Sequence, residues 1–212
     1  MRLNKTEIFI LILIVIYLIT TYFLYPLMPS LIATHWNIKG TADGFSSRLF
    51  GVLIMPIFFI ILFVIYYLFS RSNILKNTEL KKQLDVTIIF SVLFLFFVSI
   101  LSLIYNVGIK FNMSKLMIPA TSILFITMGF ILKDIKKRNL FFGIRTPWTL
   151  IDDKVWRKTH KLGGWLFIVF GIILLFAMLY IEYFTTIFLF SIIGILLITF
   201  VYSYMVYKKE KK

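Results

Sequence analysis

Six apolar segments, Ile8 to Tyr25, Phe50 to Phe69, Val86 to Tyr105, Leu116 to Leu132, Leu162 to Ile181 and Phe184 to Tyr207, contain no Asp, Glu, Lys, Arg or His. A run of about 20 such residues is what a helix needs to cross the hydrocarbon core of a bilayer. An open sheet in that setting would leave backbone polar groups without partners, so each run is expected to be a helix. The predicted fold is therefore an all-α polytopic membrane protein with six transmembrane helices. Composition agrees: of 212 residues, 60% are hydrophobic, 18% aromatic and only 15% charged. The first run follows Arg2 and Lys5 in the manner of a signal peptide, but it lacks a small-residue cleavage site and exceeds an ordinary signal core, so a retained first helix is expected.

The formal charge is +14, which in a soluble chain would point to nucleic acid. Here the positive charges lie between the apolar segments, and alternate connections differ sharply. With the N-terminus inside, nineteen of the 23 Lys and Arg fall on the inner side, leaving only Lys39, Arg48, Lys110 and Lys115 outside. The positive-inside rule then predicts both termini in the cytoplasm. A basic stripe at that surface already has anionic lipid beside it, so direct nucleic-acid binding is not expected. The chain has no cysteine, which removes disulfides and thiolate metal sites.

Two stretches interrupt the apolar pattern in an informative way. Pro26 to Leu49 is the largest exterior loop; Pro26 and Pro29 stop the first helix, Leu31 to Trp36 suits an extended piece, and turn chemistry follows at Asn37 to Gly40 and at Asp43-Gly44. A small hairpin-like cap is the expectation. His35, Trp36, Asn37, Asp43 and Arg48 are its candidate ligand-binding residues, with the plainer possibility that they only hold the loop together. His35 and the other histidine, His160, are expected on opposite sides of the membrane, so no metal site is predicted.

Asn139 to Gly164 is the other stretch, dense in polar and charged residues. Pro147 and its effect on Thr146 prevent a preceding helix from running through. A new amphipathic helix is predicted over Leu150 to Leu162, begun by a capping box of Thr149 and Asp152 with Asp152 and Asp153 at its positive end. Lys154, Arg157, Lys158 and Lys161 would form one stripe, with Ile151, Val155, Thr159 and Leu162 on another face and Trp156 beside them.

The order Asn139, Gly143, Ile144, Arg145, Thr146, Pro147, Trp148, Thr149, Leu150, followed by Asp152, Asp153, Val155 and Trp156, resembles the hallmark of the SdpI immunity-protein family of bacterial membrane proteins. The exterior loop, with Leu27, Pro29, Ile32, His35, Trp36, Asn37, Gly40, Asp43, Gly44, Phe45 and Arg48, resembles the domain of unknown function that often precedes that hallmark. The resemblance implies a multi-pass protein of the bacterial cytoplasmic membrane that protects its host from a secreted, membrane-active peptide toxin. It also implies, after the founding system, a relay that holds a small cytoplasmic transcriptional repressor at the membrane. On that view Asn139, Gly143, Arg145, Thr146, Pro147, Trp148, Asp152 and Trp156 serve partner docking or coupling between spans.

The organisation expected from the sequence has three parts: 1–70, a two-span unit with the exterior loop 26–49; 71–138, spans three and four; and 139–212, the signature loop with its amphipathic helix and spans five and six. Motifs of hydrolases, zinc peptidases and phosphate-binding loops are missing, so no catalytic residue, enzyme activity or cofactor is predicted. The alternative is a small-solute transporter or channel with Asn106, Thr121, Ser122 and Thr127 on one inward face. A charge-coupled mechanism is disfavoured, because no ionisable residue lies within the six segments.

Overall fold

The computed structural model describes residues 3–72, 78–138 and 143–211. In chain order these form α1 (Lys5–Leu24), β1 (Leu31–Trp36), β2 (Ala42–Ser47), α2 (Arg48–Ser70), α3 (Thr78–Asn106), α4 (Met113–Lys133), α5 (Pro147–Ile151), α6 (Asp153–Ala177) and α7 (Phe184–Glu210), with short 3-10 turns at Tyr25–Leu27 and Met178–Tyr183. The fold is that of an all-α polytopic membrane protein carrying one small hairpin. Helices over Lys5–Leu27, Arg48–Ser70, Glu79–Asn106 and Met113–Lys133 are each long and apolar enough to cross a bilayer, as is the 58-residue stretch Asp153–Glu210. That last stretch departs from helical geometry at Tyr180 and doubles back. Lys154 and Lys158 near its start therefore reach Glu210 at its end, at 3.0 and 2.6 Å.

Two compact units divide the chain, Met1–Met117 and Ile118–Lys212. In the first, α1, α2 and α3 share a core containing Ile10, Leu13, Tyr17, Phe59, Tyr66 and Val92. Tyr17 crosses from α1 to donate to the Val52 carbonyl at 3.1 Å, so its hydroxyl is satisfied inside the apolar layer. At the N-terminal end of α1, Asn4 and Glu7 form a reciprocal capping box. Glu7 is fully buried there and also receives the Arg71 guanidinium and the Ser70 hydroxyl from the end of α2. Beside them the Tyr66 hydroxyl donates to Asp85 of α3 at 2.5 Å. The apolar pattern ends at these residues, and their charges are matched instead of left facing the core.

The exterior loop folds as the expected hairpin. β1 and β2 pair antiparallel from Leu31↔Ser47 to Trp36↔Ala42, with irregular register around His35. Asp43 and Gly44 lie within β2 and do not make the second turn that their residue types suggest. A two-stranded hairpin is marginal on its own. Here the free edge of β1 is closed by Asn106, buried at the end of α3: its Oδ1 accepts the Ala33 N–H at 2.8 Å, and its Nδ2 donates to the Ala33 carbonyl at 2.9 Å. One amide side chain thus stands in for a neighbouring strand.

In the second unit the anticipated amphipathic helix is not a separate element. The chain makes the short α5, breaks at Asp152, and restarts at Asp153 as α6, which continues without interruption through Gly163 and Gly164 into the apolar segment. The capping box is formed by Thr146 and Thr149 on α5, while Asp152 caps α6 by accepting from Lys154 N and Val155 N. Ile151 belongs to α5 and is exposed; Val155 and Thr159 are buried together with Trp156 and His160. The two glycines explain the continuity. A Cβ on Gly164 would lie 2.6 Å from the Gly129 carbonyl oxygen of α4, so the helix is held by close backbone packing at the point where glycine would otherwise weaken it.

Replacing Asn106 by Ala leaves the Ala33 amide buried without a partner, which costs on the order of 1–3 kcal/mol. The expected result is a lower thermal midpoint in detergent together with faster hydrogen exchange at Ala33. Unchanged exchange there would show that the clamp is dispensable.

Candidate functional site

The signature segment is built around one imidazole. His160 projects from the buried face of α6 and is fully enclosed. Its Nε2 accepts the Ile144 N–H at 2.9 Å and its Nδ1 lies 2.8 Å from the Trp156 carbonyl oxygen. An imidazole nitrogen that accepts carries no proton, so the geometry fixes the neutral tautomer with the hydrogen on Nδ1. The ring stacks on Trp156, centroids 4.0 Å apart. Gly143 passes the Nε2 edge of the imidazole with φ +118°, a conformation side chains rarely adopt, and an added Cβ there would overlap Nε2.

From this anchor the chain turns into α5. Thr149 Oγ1 accepts the Thr146 N–H at 2.8 Å and donates to the Ile144 carbonyl at 2.9 Å. Thr146 Oγ1 donates to Ser203 Oγ of α7 at 3.0 Å, and Ser203 in turn donates to the Phe200 carbonyl. Pro147 opens α5, where its missing N–H costs nothing. Trp148 lies edge-on to Phe200 and against Tyr204, both at 5.0 Å. The polar hydrogen bonds and the indole together fasten the segment to α7. Arg138 closes the other side, donating to Asp153 at 2.6 Å and to the Leu150 carbonyl at 2.9 Å.

The predicted signature residues thus separate by what they touch. Gly143, Thr146, Pro147, Trp148, Asp152 and Trp156 are all engaged in shaping the segment; Asn139 lies outside the described residues. Arg145 is exposed and has no hydrogen-bond or ion-pair partner among the described residues. It sits between two anchored residues, presented outward by them. Trp156 Nε1 and Thr159 Oγ1 are buried without partners among the described residues, so the indole of Trp156 serves by its bulk and not by its N–H. The sequence signature does not by itself single out His160, the hub. Its i+4 spacing from Trp156 and its place opposite the lysine stripe were the available signals.

In the exterior hairpin, His35 Nδ1 and Asp43 Oδ1 meet across the strands at 2.5 Å, with 70% and 42% of their side chains exposed. The other three candidates are braces. Trp36 packs on the edge of Tyr105 at 5.3 Å. Asn37 accepts the Lys39 and Thr41 N–H groups on its side chain, closing the turn. Arg48 donates to the Tyr25 and Met28 carbonyls and covers the Tyr25 ring, fixing the exit from α1. Only the His35–Asp43 pair is left open to solvent or a ligand.

Residues 136–206 match the SdpI/YfhL protein family, and residues 12–60 match a domain of unknown function, DUF1648. Over 207 residues, 97% of each chain, the sequence is 26% identical to the Immunity protein SdpI of Bacillus subtilis (strain 168). No solved structure matches the chain.

Gly143→Ala forces a Cβ into the imidazole at an unfavourable φ and is expected to cost about 1–3 kcal/mol. Trp156→Phe keeps the stacked ring and removes only an unpaired N–H, so it is expected to be close to neutral. Trp156→Ala should lose about 3–5 kcal/mol by cavity formation. Thermal unfolding of the three variants in one detergent gives the ranking, and a Phe variant as damaged as the Ala variant would contradict this role for the indole.

Proposed function

We propose, from the premise that this chain belongs to the SdpI family of multi-pass proteins in the bacterial cytoplasmic membrane, that it is an immunity protein protecting its host from a secreted, membrane-active peptide toxin. The observation that carries this is end-to-end similarity, 26% identity over 97% of both chains, to a protein named for immunity. Both termini face the cytoplasm, as the distribution of lysine and arginine predicts. The hairpin then faces outward and presents the His35–Asp43 pair to the toxin. The signature segment faces inward and presents Arg145 to a partner.

That division suits a relay in which the signature segment holds a small cytoplasmic transcriptional repressor at the membrane. Supporting this role for Arg145 are its exposure and its fixed position between Ile144 and Thr146, each held by a hydrogen bond. A guanidinium presented on an ordered backbone can donate two parallel hydrogen bonds to a carboxylate of a partner. The solute-transport alternative gains no such support. Asn106 spends its amide on Ala33, and the Ser122 hydroxyl bonds its own helix at Ile118.

The test is survival of a toxin-sensitive bacterium expressing this chain, compared with Arg145→Ala at equal membrane levels. Arg145 makes no internal bond among the described residues, so the variant is expected to fold normally. Recruitment of a repressor is expected to weaken by roughly tenfold or more, the loss associated with a charge-assisted hydrogen bond. Protection by the parent supports immunity. Full recruitment by the variant removes Arg145 from the relay, and failure of the parent to protect at confirmed membrane levels overturns the immunity reading for that toxin.

A further inference from the structure

Where α6 and α7 run antiparallel, their surfaces leave a groove of about 610 Å³. Its floor is apolar, formed by Leu162, Trp165, Met205 and Val206, while Lys158, Lys161 and Lys209 stand around it with Tyr202. This lies at the ends of both helices where the apolar segments give way to charge. Lys158 is committed to Glu210 at 2.6 Å. Lys161 and Lys209 are exposed and have no hydrogen-bond or ion-pair partner among the described residues. Two unmatched ammonium groups, one from each helix, thus flank a greasy trough. Trp165 is half exposed along it, with Lys133 of α4 over its ring at 5.0 Å.

We propose that this groove is a binding site for an anionic phospholipid, the phosphate held between Lys161 and Lys209 and the upper acyl chain lying along Trp165, Leu162 and Met205. Charge complementarity selects a negative head group, and the apolar floor selects a molecule with a hydrocarbon portion directly attached to it. A lipid supplies both from the surrounding bilayer without leaving it. Zwitterionic lipid lacks the net charge, and a free phosphate gains nothing from the trough. Because Lys158 is already paired, its contribution is to the shape and rigidity of the site, through the bridge that holds α6 to α7. Tryptophan and tyrosine side chains suit this depth, with rings toward the chains and polar edges toward the head groups. Neither Arg145 nor His160 lines the groove, and the site does not depend on the immunity reading.

Native mass spectrometry of the full chain in neutral detergent provides the test, with titration of phosphatidylglycerol, phosphatidylcholine and soluble glycerol 3-phosphate in separate arms. The expected result is saturable binding of one phosphatidylglycerol, with the other two ligands failing to bind at the same concentrations. Lys161→Gln with Lys209→Gln should weaken it by roughly fivefold per lysine, the electrostatic share of one cation near an anionic head group. The double Arg replacement should retain binding, which separates loss of charge from loss of folding. Lys81→Gln with Lys82→Gln removes the same charge elsewhere and should leave affinity unchanged. Equal loss in the two Gln pairs, or equal binding of phosphatidylcholine, would overturn the site; so would glycerol 3-phosphate competing as well as the lipid.

Discussion

Backbone polar groups that are kept from water need partners within the protein, and two departures from helix in this chain find them in a single buried side chain each. Asn106 does this for β1, supplying both an acceptor and a donor to Ala33. His160 does it for the signature segment, accepting the Ile144 N–H from inside α6. Thr146 and Thr149 complete the same turn between themselves before Thr146 reaches Ser203.

Burial divides the conspicuous residues of the signature into support and display. Trp148 and Trp156 look alike in sequence as boundary tryptophans, yet Trp148 is clasped by Phe200 and Tyr204, and Trp156 is sealed against His160. Neither is free to meet a partner. Arg145, three residues before Trp148, is exposed by contrast, and its neighbours on both sides are held by hydrogen bonds. An arrangement of this kind uses its aromatic bulk to hold a short backbone arc and leaves the Arg145 guanidinium exposed. The ion pairs Arg138–Asp153 and Lys158–Glu210 tie the same region together at its solvent side, where such pairs add orientation more than stability.

Much of the architecture was legible in the sequence because apolar length and charge placement report on the bilayer directly. The helices, the extended Leu31 to Trp36 and the turn at Asn37 to Gly40 follow from residue types acting over a few positions. What escaped was long-range. Nothing local marks Asn106 as the partner of a residue 73 positions earlier, nor His160 as the acceptor for Ile144. Arg48, an attractive ligand candidate on an exterior loop, turns back to cap the end of α1. The break at Asp152 was displaced for the same reason: propensity favoured one helix from Leu150, but Thr149 is engaged by Thr146 and Asp152 is drawn away to cap α6. Close packing of Gly163 on Ile144 and of Gly164 on α4 accompanies a helix that runs through both glycines.

The protonation of the His160 ring tests the central claim, that a neutral imidazole holds the signature segment in shape. Nitrogen-15 solid-state NMR of the ring in lipid bilayers at neutral pH, with a His35→Asn chain to leave one histidine signal set, distinguishes the tautomers. The account predicts a protonated Nδ1 and an unprotonated, hydrogen-bonded Nε2, with a cross-peak from Nε2 to the Ile144 amide proton. A hydrogen on Nε2, whether in the opposite tautomer or in the imidazolium, would contradict it, since neither form can accept the Ile144 N–H.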